Sequence, residues 1–206
     1  MGICRVLALN PEFEHDPDRR SMMITTLRAV AATLVTVGST LALVVSGPAA
    51  PASAGVLDVT CTPPSSNGIS YSPPLTRSPQ DVTIDVTTQY GPCVSAGNPA
   101  LTSGHRTISL TQPGFSCLEL LNSGPVTFTI TWNTGQTSTV SANYSATVVG
   151  AALVDVRTGT VTSGLFTGST VVQTTTGPAT DVLLCTAGLG TVSGIYSSVS
   201  LEITSV

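Results

Sequence analysis

Apolar and polar residues alternate along most of the chain beyond about residue 55. The clearest example is residues 126–132, where Val126, Phe128, Ile130 and Trp132 share one face and three threonines share the other. This period of two is typical of a half-buried β-strand. A glycine-containing turn at residues 133–135 and a further alternating segment follow, which predicts a β-hairpin.

The same pattern predicts strands at residues 56–61, 81–90, 106–110, 144–156, 169–175 and 197–204. Short helical turns are predicted at 116–121 and 180–185, the second with Thr180 as its N-cap. Residues 62–80 contain five prolines, which donate no ladder hydrogen bond, so they predict a surface loop or a protected edge. Short strands without long helices predict an all-β fold, an antiparallel β-sandwich of Ig-like or Greek-key type.

Residues 22–54 have the pattern of a signal peptide. Arg28 precedes the apolar run 29–45, and small residues at Ala52 and Ala54 suit a signal peptidase. We predict cleavage after Ala54, which the intact mass of the secreted protein checks. Residues 1–21 are acidic where a basic region is expected, so we interpret them as a non-native extension from a mis-called start, with translation beginning at Met22 or Met23. The mature part is then a single secreted domain, residues 55–206.

Four cysteines follow the predicted cleavage site, and in an exported chain an even number indicates two disulfides. Their three possible pairings stay open by counting alone. We predict Cys61–Cys93 and Cys117–Cys185, because Cys61 ends the first strand and Cys93 follows the next long strand after the proline-rich segment. The disulfides and the leader predict an extracellular protein, at most loosely associated with the cell envelope.

Charge is sparse, with a formal net charge of −4 and no lysine. The predicted mature part contains three basic residues, Arg77, Arg106 and Arg157. Nucleic acids and anionic membranes require clustered basic residues, so we expect neither as a partner. No apolar run beyond residues 29–45 approaches the length of a membrane span, so we also expect no membrane insertion after signal cleavage.

Catalytic and metal-binding motifs are not evident. His105 is the single histidine of the predicted mature part, and no Gly-x-Ser-x-Gly elbow accompanies it, so we expect an exposed loop histidine without a catalytic role. Asp81 and Asp85 are expected on a solvated strand face. We predict no cofactor and no metal, although the sequence leaves a loop-built calcium site open.

Two sets of residues remain as candidates for sugar chemistry. A carboxylate-dependent hydrolase requires two acids near each other, for which the sequence offers Glu119, Asp155, Asp181 and Glu202. Trp132 is expected in the core because it is in phase with Phe128 and Ile130. The tyrosines either form a ligand surface or pack at sheet ends with their hydroxyls outward: Tyr71, Tyr90, Tyr144 and Tyr196.

Several segments of the C-terminal half form a recognisable series: Thr131-Trp132-Asn133-Thr134-Gly135, the glycine-rich stretch 159–168, Leu183-Leu184-Cys185 and residues 199–203. In these segments the chain resembles a group of uncharacterised secreted proteins of high-GC actinobacteria, over roughly residues 59–203. The resemblance implies a leader and paired cysteines, and it implies no activity.

The leading hypothesis is a secreted, non-enzymatic β-domain that binds a protein or glycan surface or associates with the envelope. The alternatives are a small carboxylate-dependent hydrolase and a self-associating envelope or spore-coat protein. A deep cleft with two close acids favours the enzyme, and a flat tyrosine-rich face favours the binding protein.

Overall fold

The computed structural model describes residues 57–205, which form ten antiparallel strands and two short helices. The predicted signal peptide, its cleavage site and the N-terminal extension lie outside these residues. The strands are β1 Leu57–Cys61, β2 Ser66–Leu75, β3 Gln80–Tyr90, β4 Cys93–Val94, β5 Gly104–Phe115, β6 Ser123–Trp132, β7 Thr137–Val149, β8 Ala152–Gly164, β9 Thr170–Pro178 and β10 Val192–Thr204. The helices are a 3₁₀ helix, Cys117–Leu121, and α1, Thr180–Thr186.

Eight strands close into a barrel in the order β2-β3-β5-β6-β7-β8-β9-β10, with β10 returning to pair with β2. The all-β antiparallel prediction is therefore confirmed, but the sheet is a barrel and not the predicted sandwich. Closure depends on the length of β10, which pairs with β9 over residues 198–204 and with β2 over residues 192–198. The last residues of β10 pair with β1, and β1 pairs with β4.

Strand β2 lies inside the segment that the prolines predicted to be a surface loop or a protected edge, and both alternatives are wrong because β2 is paired on both sides. Residues 66–72 pair with β3, and most of the same residues pair with β10. Pro73 and Pro74 follow the last residue that pairs with β3, so their missing N–H groups remove no bond from that ladder.

The alternating segment 144–156 is two strands and not the predicted single strand. Gly150, with φ of 62°, forms the turn between β7 and β8. A positive φ is readily adopted by glycine, so this residue allows the chain to reverse within the alternating pattern.

Inward-facing side chains form two apolar clusters at opposite ends of the barrel. The first, which we call the Trp132 cluster, consists of Val59, Cys61, Tyr90, Cys93, Leu101, Phe128, Ile130, Trp132, Val140, Ala142, Val161, Val171, Val199, Leu201 and Ile203. The second, the Tyr71 cluster, consists of Tyr71, Leu75, Val82, Cys117, Val182, Cys185, Val192 and Ile195. The core position predicted for Trp132 is confirmed, and its indole N–H donates to the Ser138 hydroxyl at 2.8 Å.

Both predicted disulfides, Cys61–Cys93 and Cys117–Cys185, are confirmed. The first joins directly opposed residues of β1 and β4, and the second joins the 3₁₀ helix to α1. Two disulfides in a domain of this size indicate an oxidising, extracellular environment. Among residues 57–205 no helix is long and apolar enough to cross a membrane.

Candidate functional site

A cavity of about 560 Å³ occupies the part of the barrel next to the Tyr71 cluster. Alternation along each strand places every second side chain inside, and most of those that line this cavity are apolar. The apolar lining comprises Ile69, Tyr71, Ile84, Leu110, Phe115, Leu120, Pro125, Val126, Tyr144, Ala146, Leu153 and Ile195. The volume lies within the range of roughly 300–1,000 Å³ that is typical of small-molecule sites.

The cavity opens between β5 and β6. These strands pair at Gly104 with Trp132 and at His105 with Thr131, whereas the other barrel strands pair over longer stretches. Where β5 and β6 separate, the lining residues are exposed: Leu110, Gln112, Asn122 and Pro125. The 3₁₀ helix, with Glu119 and Leu120 in the lining, connects the two strands at this opening.

A belt of polar side chains lies between the two apolar clusters. Arg106 of β5, Thr88 of β3, Asn67 of β2 and Ser197 of β10 are paired in succession across four neighbouring strands, and all four are buried. Within this row the Thr88 hydroxyl donates to Asn67 Oδ1 at 2.7 Å.

Strands β8 and β9 complete the belt on the other side of the barrel. Asp155 is paired with Thr175, and Arg157 with Gln173. The Tyr90 hydroxyl donates to Gln173 Oε1 at 2.8 Å and so connects this side to β3. Asn67, Asp155, Arg157, Thr175 and Ser197 also line the cavity, so the belt forms its polar floor.

Asp155 and Arg157 form an ion pair, with Arg157 Nη2 2.5 Å from Asp155 Oδ2. Their side chains are only 19% and 13% exposed, respectively. Asp155 Oδ1 and Arg157 Nε are buried and have no hydrogen-bond partner among the described residues. Buried polar atoms are normally hydrogen-bonded. Asp155 Oδ1 could therefore accept one further hydrogen bond, and Arg157 Nε could donate one.

Arg106 is 4% exposed, and its guanidinium lies 4.5 Å from the centre of the Phe128 ring. Its Nε also lacks a hydrogen-bond partner among residues 57–205. The cation–π contact offsets part of the cost of burying the charge. Burial lowers the pKa of Arg106, yet an arginine remains protonated in proteins.

Burial also controls the nearby phenols. It raises the pKa of Tyr90, a shift that the charges of Arg106 and Arg157 partly oppose. Burial likewise raises the pKa of Tyr71 in the other cluster. Both phenols are therefore neutral at physiological pH.

The structure separates the four candidate acids. Glu119 and Asp155 line the same cavity, whereas Asp181 and Glu202 are exposed and lie outside its lining. The Ser116 backbone N–H donates to Glu119 Oε2 at 2.8 Å, and the Ser116 hydroxyl bonds to the same oxygen. These bonds, the hydroxyl foremost, hold the pKa of Glu119 below its ordinary value.

The other candidates are dispersed. His105 is exposed as predicted, although it lies on β5 and not in a loop. Tyr71 and Tyr90 are buried, Tyr144 lines the cavity and Tyr196 is exposed, so the tyrosines do not form one flat surface. Among the described residues no group of three or more His, Cys, Asp or Glu side chains is placed to hold a metal ion.

Reasoning from the sequence missed the polar belt. On β8 the inward side chains are Asp155 and Arg157, while Val154 and Val156 point outward and are only partly buried. Alternation alone assigns the valines to the core, the opposite of what is observed. The inward position of Arg106 could have been predicted from the sequence, because Arg106 is in phase with Ile108, which packs against the core.

Comparisons with protein-family models, with curated proteins and with solved structures find no match to this chain.

Proposed function

We propose that this protein is a secreted, non-enzymatic binding protein that holds one small, largely apolar ligand inside its barrel. The observation that carries the proposal is the cavity of about 560 Å³, lined mainly by apolar side chains and open between β5 and β6. Eight-stranded barrels are of the size at which the interior is either filled by side chains or holds a single small ligand. The two disulfides and the predicted leader support secretion, and the resemblance described above supports an actinobacterial origin.

A small ligand agrees with the site better than the protein or glycan surface expected from the sequence. Surface binding by tyrosines requires them to be exposed together, and Tyr71 and Tyr90 are buried. A cavity with apolar walls and a polar floor has the usual composition of a small-molecule site.

A carboxylate-dependent hydrolase is the second candidate, favoured by the presence of Glu119 and Asp155 in one cavity. Such an enzyme requires a carboxyl group that stays protonated near neutral pH. Hydrogen bonds from Ser116 lower the pKa of Glu119, and Asp155 is bound to Arg157. Both acids thus have structural partners, which supports binding over hydrolysis.

Titration with the neutral apolar dye N-phenyl-1-naphthylamine tests the proposal. We expect dye fluorescence to rise and saturate at about one dye per chain. Ala146 lines the cavity and Thr147 is exposed on the same strand, so Ala146→Phe fills the cavity while Thr147→Phe adds the same ring outside.

We expect Ala146→Phe to weaken dye binding by about tenfold or more, and Thr147→Phe to leave it unchanged. Absence of saturable binding to the wild-type protein, or equal effects of the two variants, would contradict a ligand site in the barrel.

A further inference from the structure

The polar belt contains more positive than negative charge. Arg106 and Arg157 are opposed by Asp155 alone, and among residues 57–205 the ion pair is formed by Asp155 and Arg157. Of the described side chains, Arg106 therefore has an aromatic ring and no carboxylate against its guanidinium. A buried charge is costly unless it is paired, and within the part of the chain that the structure describes Arg106 has no opposite charge bonded to it.

The other groups near the belt do not supply the missing negative charge. The Tyr90 phenol is neutral, as described above. Glu119 lies on the 3₁₀ helix at the opening, where its carboxylate is bonded to Ser116. The remaining belt residues that line the cavity are uncharged: Asn67, Thr175 and Ser197.

The floor of the cavity is where an anion would be bound. Arg157 lines the cavity, and because its Nε is covered by protein atoms, a bound anion would meet the terminal nitrogens of the guanidinium. Arg106 belongs to the same polar belt but does not line the cavity, so its charge acts on the floor at longer range. A bond from a guanidinium to a carboxylate is among the strongest hydrogen bonds in proteins.

Between this floor and the opening the walls are mainly apolar, whereas the opening between β5 and β6 itself carries the polar side chains of Gln112, Glu119 and Asn122. A molecule that matches both parts has an apolar body and one anionic end. We propose that the ligand is an amphiphile with a single carboxylate, which accepts a hydrogen bond from Arg157, is attracted by Arg106 and places its apolar body in the cavity. This inference rests on the proposed binding function and specifies its ligand class.

Substitutions of Asp155 and Arg157 should change the affinity for an anion in opposite directions, which tests the proposal. The unpartnered Oδ1 of Asp155 repels a carboxylate bound beside Arg157, so Asp155→Asn should strengthen binding of an anion, whereas Arg157→Gln should weaken it. General damage to the barrel would weaken binding in both variants. Arg77 is exposed, and Arg77→Gln removes the same charge from the surface as a control.

The experiment is displacement of N-phenyl-1-naphthylamine by decanoate, decanol and decylammonium at neutral pH. We expect decanoate to displace the dye at a concentration about tenfold or more lower than the other two. Arg157→Gln should remove this preference, and Asp155→Asn should raise the ratio of decanoate to decanol affinity by about threefold or more. Arg77→Gln should behave as wild type.

The outcomes separate the two proposals. If the dye and decanol bind saturably but decanoate is no better than decanol, or decylammonium is preferred, the carboxylate assignment is wrong and the binding function stands. If neither the dye nor any decyl compound binds the wild-type protein, the binding function itself is wrong. Should Arg157→Gln fail to fold, a lower ratio of decanoate to decanol affinity in Asp155→Asn than in wild type would by itself overturn the assignment.

Discussion

The end of the barrel around Trp132 is filled by side chains, whereas the end around Tyr71 encloses a cavity of about 560 Å³. The barrel strands show the same alternation at both ends, while β1 and β4 contribute only to the first cluster and the two helices only to the second. The two ends also differ in the pairing of β5 with β6, which is present near Trp132 and absent toward the cavity. An intact ladder and a filled core thus coincide at one end, and a split ladder and a hollow interior coincide at the other.

Gly104 helps to explain why the ladder forms where it does. A Cβ atom at this position would lie 2.7 Å from the Trp132 ring, closer than side-chain atoms pack. Glycine therefore allows β5 to approach β6 directly over the indole. Farther along, Leu110 and Gln112 are exposed, and among residues 57–205 β5 and β6 are paired only at Gly104 with Trp132 and at His105 with Thr131.

Each end also has its own disulfide. Cys61–Cys93 joins β1 to β4 and belongs to the Trp132 cluster, while Cys117–Cys185 joins the two helices and belongs to the Tyr71 cluster. The hollow end has less core of its own, so we expect it to depend more strongly on its covalent link.

The largest expected effect is removal of these disulfides. Their sequence separations are 32 and 68 residues, for which the chain-entropy model gives about 3.7 kcal/mol for Cys61–Cys93 and about 4.4 kcal/mol for Cys117–Cys185. Replacing both cysteines of a pair by alanine should lower the free energy of unfolding by up to these amounts. Denaturant titration of each double variant measures the loss.

Trp132 is the only tryptophan, so its fluorescence reports on the filled end. In the variant without Cys117–Cys185 we expect weaker dye binding while the native Trp132 emission is kept. Loss of Trp132 emission together with dye binding would show that the two ends do not respond separately.

The next largest effect is expected from truncating one isoleucine at each end of the barrel. Ile130 is fully buried in the Trp132 cluster, and Ile84 is partly buried and lines the cavity. Ile130→Ala should cost about 2–5 kcal/mol because it opens a void in a filled core. Ile84→Ala should cost about 1 kcal/mol, because the removed atoms already face open space. Equal losses in denaturant titrations would contradict a difference in packing between the ends.

Much of the filled end could be predicted from the sequence. The alternation that ends at Trp132 defines β6, and local chain order suggested both disulfides correctly. Barrel closure could not be predicted in this way, because it requires β10 to pair with β2 across more than a hundred residues. In addition, the prolines near β2 indicated a loop or an edge where the structure has a paired strand. No local pattern encodes such a pairing.

The candidate site was harder to predict from the sequence, for a related reason. Asp155 and Arg157 face inward on a strand whose outward residues are valines, so the choice of face depends on the neighbouring strands and not on hydrophobicity. Pairing with Ala146 and Thr175 places Asp155 inside. That information exists only after the strand order is known.

Each end of the barrel contains one buried tyrosine, Tyr90 at the filled end and Tyr71 at the hollow end, and alkaline pH should destabilise the protein through both. Burial raises the pKa of Tyr71 and Tyr90 above the ordinary value of 10.0, so the unfolded chain ionises first. Their stabilising contribution is complete below pH 10 and is lost as pH rises above it, by about 1.4 kcal/mol per pH unit for each phenol. Tyr71→Phe should remove the contribution of one phenol to this loss of unfolding free energy with pH. Denaturant titrations between about pH 9 and about pH 11 measure the change. An unchanged slope would mean that Tyr71 ionises in the folded protein, with water entering the hollow end.

The smallest expected effect concerns the 3₁₀ helix at the cavity opening. Ser116 accepts a hydrogen bond from the Leu118 N–H, and Glu119 accepts from the Ser116 backbone, which together form a capping box. Ser116→Ala should therefore cost about 1 kcal/mol. Helix α1, at the same end, provides the control, because its N-cap is Ala179 and makes no side-chain bond, contrary to the prediction that Thr180 caps it. We expect Thr180→Ala to cost less than about 0.5 kcal/mol.

The capping box also predicts a dependence on acid. The pKa of Glu119 is lowered in the folded state, so its contribution is present above the ordinary value of 4.5 and is lost as pH falls through the lower folded value. In Ser116→Ala this acid-induced loss should be smaller than in wild type, whereas Thr180→Ala should keep it. Leu120 on the same helix lines the cavity, so dye binding should weaken in acid in parallel with the cap. Parallel acid titrations of stability and dye affinity in the three proteins measure this, and an identical acid response in Ser116→Ala and wild type would show that the cap does not hold the opening in place.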